Sequence, residues 1–352
     1  MPSDAPHRSG QLYAPGHCRG SLRRLLPGLL CGVLGGQAML SAADVDRYQG
    51  TRMSMACLYS VEAYGPRRLD LQAAAEAALD EVDRIDRLMS HYKAESPLSA
   101  INREAASHPV RPPRELFDFL VESLRYSRLS QGAFDITVGP LMKAWGFFRG
   151  DGGLPSPGDL AAARRVVGAR HVRVDPAAGT LAFDATGVEL DLGGIAKGYA
   201  VDRAVAILRA RGITAALVSA GGSTVYGLGA PPEREAWTID VQDPLDARRS
   251  ATTVRLRDRA LSIAGRSEKW FEANGVRYSH IMDPRTGAPV QGMLTVAVLS
   301  DSGTAGDALD DALFVLGPAA SRPLLNAVPG TAALYFLPRG AHGWHLVRAE
   351  SE

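Results

Sequence analysis

The stretch Glu189-Leu190-Asp191-Leu192-Gly193-Gly194-Ile195-Ala196-Lys197-Gly198 predicts a strand that ends in paired glycines and then turns into a helix. Glycines let a backbone approach a ligand closely, and a helix N-terminus offers unpaired N–H groups to an anion. Lys197 adds a positive charge at the same place. The pattern suits a phosphate, but it is neither G-x-G-x-x-G nor a Walker A loop. A ligand site and a simple strand–helix turn therefore explain it equally well.

The elements on both sides of this stretch indicate the fold class. Apolar periodicity and capping residues predict helices at 69–89, 115–129, 198–211 and 304–316. Strands are predicted at 55–63, 171–174, 180–183, 188–192, 215–218, 237–241, 254–257 and 294–299, with residues 150–160 as a loop. Strands clustered between helices, without strict βαβ alternation, favour an α+β fold over a doubly wound sheet.

Composition and charge limit the class of protein. The chain has 352 residues, 46% hydrophobic and 22% charged, and its 39 basic and 38 acidic residues give a formal net charge of +1. These values are typical of a globular protein with a sizeable core and argue against intrinsic disorder. There is no basic block or stripe, so no nucleic acid is expected as a partner. After residue 45, no apolar run approaches the ~20 residues that span a bilayer.

Residues 1–43 differ from the rest and are predicted to be an export signal or a disordered N-terminus. Three arginines precede an apolar stretch at 25–40, and small residues follow up to Ala43, a pattern typical of a secretory signal. A twin-arginine signal at Arg23-Arg24 and a lipoprotein acylated at Cys31 remain alternatives. We therefore expect export to the periplasm or cell envelope, with lipid anchoring left open.

The cysteines limit the chemistry of the remaining domain, residues 44–352. Cys57 alone among the three cysteines lies in it, so an internal disulfide and a metal site built on thiolates are excluded there. Any metal would have oxygen ligands, with or without histidine.

Two loops carry polar residues that suggest a site. The segment 132–140 follows a predicted helix, and its Asp135 and Thr137 are either groups that face a cleft or capping and turn residues. Further on, the turn signal Asp283-Pro284-Arg285-Thr286-Gly287 follows His280. A histidine at such a strand-to-turn junction is placed for proton transfer near neutral pH, although a structural histidine is the alternative.

The last long helix presents two acids on one face. Asp307 and Asp311 are four residues apart, and residues at that spacing are neighbours on a helix surface. Two like charges repel there, which favours a hard cation between them. An acid near a helix start is favourable in any case, and this explains Asp307 but not Asp311.

Taken together and in this order, these segments resemble the ApbE family, the FAD:protein FMN transferases. The matching segments are Met53-Ser54-Met55, Met89-Ser90-His91-Tyr92, 133–140, 191–199, 278–287 and 307–311. Each motif alone is weak, but six in sequence, covering roughly residues 50–320, are specific.

The resemblance implies a fold and an activity. The fold would be α+β and ApbE-like, related to the T-fold, with mixed sheets packed with helices in one large catalytic unit. The enzyme would cleave the FAD pyrophosphate, pass FMN to a Thr or Ser hydroxyl of an acceptor protein, and release AMP, with Mg²⁺ as the metal. The expected acceptor is a subunit of an electron-transfer or respiratory complex.

Roles follow from the resemblance at the matching positions. The residues implied to surround FAD are Met53, Tyr92, Ala133, Phe134, Asp135, Asp191 and Lys197. The metal would bind the Gly194 carbonyl, the Asp307 side chain and Asp311. His280 would be the base that deprotonates the acceptor hydroxyl.

Two departures from the family pattern leave alternatives open. Asp311 stands where the family has a threonine, and the extra charge would strengthen metal binding, recruit a second ion, or shift the balance from transfer to hydrolysis. Ser54-Met55 replaces a small residue and a threonine, which alters contacts on the flavin side. The alternatives are therefore an Mg-dependent FAD pyrophosphatase giving FMN and AMP, and a non-catalytic flavin-binding or flavin-delivery protein.

Overall fold

Residues 45–340 and 343–351 are described by the computed structural model of the chain. The export signal expected at 1–43 lies outside these residues. Among the helices described, none combines the length and the apolar composition needed to cross a membrane.

The described residues form helices and strands that alternate irregularly along the chain. The helices are α1 Arg68–Met89, α2 Pro97–Glu104, α3 Arg114–Leu129, α4 Gly139–Ala144, α5 Pro157–Arg165, α6 Ala196–Ala210, α7 Gly303–Ala320 and α8 Arg322–Ala327. The strands are β1 Asp46–Ser54, β2 Cys57–Gly65, β3 Val172–Asp175, β4 Thr180–Phe183, β5 Ala215–Ala220, β6 Thr224–Leu228, β7 Trp237–Asp243, β8 Asp246–Leu256, β9 Arg259–Gly265, β10 Trp270–Ala273, β11 Val276–Ser279, β12 Met282–Asp283, β13 Ala288–Pro289, β14 Thr295–Ser300, β15 Ala332–Arg339 and β16 Gly343–Glu350.

One large antiparallel sheet organises the fold. It has eight strands in the order β1-β2-β5-β6-β9-β14-β15-β16, and the remaining strands pair as four short hairpins. Helices α1, α6 and α7 pack on one face of the sheet. The opposite face carries a smaller apolar cluster in which Trp237 and Leu256 of the β7–β8 hairpin cover Val225 and Phe336. Central strand β6 is therefore buried along its whole length, and the α+β class is confirmed.

Helices α6 and α7 approach closely because glycines lie at their contact. A Cβ atom at Gly198 would overlap the carbonyl oxygen of Gly303 and lie 2.8 Å from the Cβ of Asp307. Only a residue without a side chain permits this distance between the two backbones. The start of α6 is thereby held against the first turns of α7.

Two sequence predictions were wrong in detail. Residues 188–192 form no strand, because the backbone of Leu190 pairs with the side-chain amide of Asn102 at 2.8 and 2.9 Å. Residues 150–160 are not all loop, since α5 begins at Pro157. The Ser156 hydroxyl caps it by accepting the Asp159 N–H at 3.1 Å, an N-terminal signal that the sequence carries. The other predicted elements overlap the observed ones.

Candidate active site

The segment that opens α6 forms the centre of the site. The Asp191 N–H donates to the carbonyl of Ile136 at 2.7 Å, and Oδ1 of Asp191 accepts the N–H of Gly193 at 2.8 Å. These bonds shape the paired-glycine turn, Gly193-Gly194, before the first helical residue. At Gly194 an added Cβ would meet Oδ2 of Asp311 and, at 3.5 Å, the ring of Phe134. The turn thus joins three segments that are distant in sequence.

Lys197, in the first turn of α6, lies among carboxylates. Burial alone would favour its neutral amine, but the negative charges of Asp307 and Glu268 outweigh burial and raise its pKa above the usual value. The side chain is therefore an ammonium ion at neutral pH. A cation fixed at a glycine turn and a helix start is suited to an anionic ligand such as a phosphate.

Three acids of α7 interact with Lys197 through charge: Asp307, Asp310 and Asp311. They are here called the acidic row. Burial is the main cause that raises the pKa of each carboxyl group, and their mutual repulsion adds to the rise for Asp310 and Asp311. Asp307 is the best satisfied, since its oxygens accept the N–H of Gly198 and the hydroxyl of Thr224, both at 3.0 Å. Asp310 was given no role in the sequence predictions, although it lies within the segment 307–311 and next to Asp311.

This set of oxygens fits a hard cation. Repulsion between buried carboxylates decreases when a divalent ion lies beside them, and Mg²⁺ takes oxygen ligands, typically one or two carboxylates together with water and phosphate oxygens. The contact of Asp311 with Gly194 places a carboxylate next to the turn whose carbonyl was predicted as a ligand. Within the described residues, no three His, Cys, Asp or Glu side chains are arranged as a complete metal cage.

His280 lies directly after β11 and faces the same cluster. Its backbone N–H and its Nδ1 both bond the carbonyl of Lys269, at 3.0 and 3.3 Å. Because a carbonyl only accepts, Nδ1 carries the proton and the neutral ring presents Nε2 as a free base. Burial, followed by the charges of Lys197 and Lys269, lowers the pKa of His280 to about 4. The imidazole is therefore neutral at physiological pH, with its side chain 24% exposed.

Glu268 is a residue that the sequence analysis missed. One of its carboxylate oxygens is 3.9 Å from Nε2 of His280, and its charge affects the pKa of Lys197 and of the acidic row. The sequence does contain a local signal that Glu268 and His280 lie close together. It is Asn274-Gly275, the two residues that connect β10 to β11. Asn-Gly between two β-prone runs predicts a two-residue hairpin. The register of that hairpin brings Lys269 and its neighbours opposite His280.

The loop containing Asp135 is stabilised by hydrogen bonds that the Asp135 carboxylate accepts from other residues of the protein. Asp135 Oδ1 accepts both the N–H and the hydroxyl of Thr137, at 2.9 and 2.7 Å, and Oδ2 accepts the N–H of Ala169 at 2.7 Å. The turn interpretation of this carboxylate is thus the one that its bonds support. Ala133 and Phe134 are buried, and Phe134 reaches the site through its ring beside Gly194.

Met53 and Tyr92 supply exposed surface next to this centre. Met53 is exposed at the end of β1, and the following turn, Met55-Ala56, has two positive φ angles of 49° and 59°. Beyond that turn, Cys57 is close enough to Lys197 for the ammonium to affect its thiol pKa, which burial raises to about 11. Tyr92 is 56% exposed, and its ring stacks on Phe148 at 4.9 Å between centroids.

The predicted residues therefore fall into two groups. The central group comprises Lys197, His280, Gly194, Asp307, Asp311, Asp191 and Phe134, which contact one another directly or interact through charge. The peripheral group comprises Met53, Tyr92, Ala133 and Asp135, for which the structure gives no direct bond to Lys197 or His280. This arrangement can hold a phosphate anion, a hard cation and a neutral general base within one site.

Comparisons with known proteins identify the family. The family model described as the ApbE family matches residues 50–336. The FAD:protein FMN transferase of Treponema pallidum is 33% identical over 328 residues, covering 88% of this chain and 89% of that protein. The FAD:protein FMN transferase of Vibrio cholerae is 34% identical over 252 residues, covering 70% and 73%.

Solved structures show the same fold. The ApbE protein of Thermotoga maritima superimposes with a TM-score of 0.77 at 30% identity, covering 87% of this chain and 97% of its own. The flavin transferase ApbE of Vibrio cholerae gives a TM-score of 0.76 at 27% identity, covering 88% and 98%. The family model, the relatives and the shared architecture lead to one conclusion: the chain belongs to the ApbE family.

Proposed function

We propose that this protein transfers FMN from FAD to the hydroxyl of a threonine or serine in an acceptor protein, with Mg²⁺ as cofactor and AMP as the second product. The observation that carries the proposal is the convergence of Lys197, His280 and the acidic row at the paired-glycine turn. The activity named for the Treponema pallidum and Vibrio cholerae relatives supports the same conclusion.

Binding of FAD uses the two ends of the site. The pyrophosphate lies near the Lys197 ammonium and the start of α6, where positive charge and a glycine backbone suit phosphate oxygens. The exposed ring of Tyr92 offers a flat surface to an aromatic ring of the dinucleotide. Binding at two separated points fixes the pyrophosphate relative to His280, and such positioning lowers the barrier to attack.

The transfer step is a displacement at phosphorus. The acceptor hydroxyl oxygen forms a bond to the phosphorus of the FMN portion, and the bond from that phosphorus to the oxygen bridging to AMP breaks. Nε2 of His280 accepts the hydroxyl proton, and AMP leaves with the bridging oxygen. Lys197 stabilises the negative charge on the phosphate oxygens during the displacement. His280 is neutral at pH ~7, so the lone pair of Nε2 is free to accept this proton.

Mg²⁺ would be held by Asp311, Asp307 and the carbonyl of Gly194. When bound, it neutralises phosphate charge and polarises the phosphorus–oxygen bonds. The chain's own residues suit it, because burial raises the pKa of each acid in the row and a bound cation would favour the ionised carboxylates.

The acceptor and the location are part of the proposal. We infer that the acceptor is an electron-transfer or respiratory subunit and that the reaction takes place in the periplasm or at the cell envelope. The resemblance of the motifs supports the first inference, and the signal-like pattern of residues 1–43 supports the second.

One incubation tests the activity. The purified protein is mixed with FAD, Mg²⁺ and a candidate acceptor protein, and denaturing gels are inspected for covalent flavin fluorescence while AMP is measured. Labelled acceptor with an equal amount of AMP is expected. AMP without label would indicate hydrolysis, the candidate that the extra carboxylate of Asp311 favours. FAD recovered unchanged would indicate a binding protein.

A pair of variants tests the assigned base. His280→Gln should bind FAD normally and lose transfer by roughly 10²–10⁴-fold, the range for a general base. His171→Gln removes another partly buried histidine, one paired with Asp184 at 2.7 Å, and should leave transfer unchanged. Normal transfer by His280→Gln would refute the role of His280.

A further inference from the structure

A buried histidine lies between two residues predicted to contact FAD. The side chain of His91 is 5% exposed, and its Nδ1 is 3.4 Å from Oδ1 of Asp191. On its other side the ring centroid is 4.0 Å from that of Tyr92 and 5.3 Å from that of Phe148. His91 therefore connects the carboxylate at the paired-glycine turn to the exposed aromatic ring.

Fold stability does not explain why an imidazole occupies this position. The Nε2 atom of His91 is buried and has no hydrogen-bond partner among the described residues. A buried polar atom without a partner is unfavourable, and an apolar ring of similar shape would avoid that cost. The chemical property that distinguishes His91 from such a ring is its Nδ1 atom, which lies 3.4 Å from Oδ1 of Asp191.

One oxygen of the Asp191 carboxylate has both a backbone and a side-chain neighbour. Oδ1 accepts the backbone N–H of Gly193 at 2.8 Å, and the same oxygen is the one near His91. Loss of the imidazole would leave the carboxylate held by the glycine turn alone. It would also remove the ring that supports Tyr92 from behind, if the replacement were small.

We propose that His91 is a positioning residue for the flavin nucleotide, which holds the Asp191 carboxylate through Nδ1 and supports the Tyr92 ring through its own ring. The inference rests on the proposed function, since it assigns FAD to this surface. It adds a contact behind the binding residues, and His91 itself does not touch the reacting atoms.

Two substitutions separate the two properties of the side chain. His91→Phe keeps an aromatic ring and removes Nδ1. His91→Asn removes the ring, but its side-chain NH2 group is bonded to Cγ as Nδ1 is, so an N–H donor stays close to the position of Nδ1. The Kd for FAD is measured by fluorescence titration with EDTA present, and the unfolding temperature is measured in parallel. The control is His171→Phe, because His171 is also paired with an aspartate and has a partnerless Nε2.

The proposal expects a specific pattern. His91→Phe should weaken FAD binding by roughly tenfold while its unfolding temperature stays equal or rises, and His91→Asn should recover roughly half or more of that loss in binding free energy. In transfer assays His91→Phe should raise KM for FAD with kcat changed by less than about threefold. His171→Phe should leave the Kd unchanged.

Other outcomes overturn the inference in distinguishable ways. If wild type binds FAD and His91→Phe binds it equally well, His91 is not a positioning residue while the proposed function stands. If Kd and unfolding temperature worsen together in both variants, the role of His91 is structural. If wild type does not bind FAD, the proposed function fails and this inference fails with it.

Discussion

The carboxylate of Asp307 on α7 accepts the backbone N–H of Gly198 on α6 at 3.0 Å, and this bond ties the acidic row to the start of the helix that carries Lys197. The tie is reciprocal. Asp202 of α6 accepts the N–H groups of Gly303 and Thr304 at 2.7 and 2.8 Å and so caps the start of α7. Each helix thus satisfies backbone donors of the other, and the positions of Lys197 and Asp307 relative to each other are set by the fold.

The first prediction concerns this helix contact. Gly198→Ala places a Cβ against the carbonyl of Gly303 and 2.8 Å from the Cβ of Asp307, so we expect a loss of about 1–3 kcal/mol of unfolding free energy. Urea unfolding measures it. Gly153→Ala is the matched control, because no atom lies within 4 Å of its Cβ position and it should change stability little. Equal stability of the two variants would contradict the close approach of α6 and α7.

The second prediction concerns the metal. In the wild type, Mg²⁺ should raise the unfolding temperature, since a ligand that binds only the folded state stabilises it. Asp311→Ala should lose most of that rise, because Asp311 contributes a carboxylate beside Gly194. Differential scanning fluorimetry with and without EDTA measures the shift. Asp118→Asn, which removes an exposed acid paired with Arg114, should respond like wild type. A full Mg²⁺ response in Asp311→Ala would remove this residue from the metal site.

The third prediction concerns pH. His280 has a folded pKa of about 4 against an ordinary value of 6.5, so between these values the unfolded chain binds more protons than the folded one. The contribution of His280 to stability is therefore present above that window and is lost as the pH falls through it. Glu268, Lys197, Lys269 and Asp191 are the charged groups around the ring.

His280→Gln isolates this contribution. We expect the wild type to lose more unfolding free energy than the variant when the pH falls from about 7 to about 5, by chemical denaturation at both values. The same loss in both proteins would show that the folded pKa of His280 is close to its ordinary value.

The fourth prediction concerns the exposed ring of Tyr92. If an aromatic ring of FAD stacks there, Tyr92→Ala should weaken FAD binding by the ~1–3 kcal/mol typical of base–aromatic stacking. Tyr92→Phe keeps the ring and should bind FAD nearly as well as wild type. Fluorescence titration gives both constants. A Tyr92→Phe variant as weak as Tyr92→Ala would point to the hydroxyl instead of the ring face.

Most local elements could be predicted from the sequence, and so could several of the residues that meet at the paired-glycine turn. Apolar periodicity, glycines and proline positions are local signals, and they predicted helices at α1, α3, α6 and α7 and strands at β3, β4, β7 and the end of β8. The segment 188–192 shows the limit of such signals. It has the pattern of a strand, but its backbone partner is the side chain of Asn102, and a pairing between residues so distant in the chain leaves no local signal.

The protonation states and charges of the site residues follow from tertiary packing. Nothing near His280 in sequence indicates a pKa of about 4, because the causes are burial and the charge of Lys197, which belongs to another element. Likewise, the sequence pattern was compatible with an Asp135 side chain that faces a cleft. Its hydrogen bond from the Ala169 N–H depends on the packing of two loops and could not be predicted from the pattern. Residue type and local geometry are set along the chain, whereas desolvation and charge interactions depend on which segments meet in space.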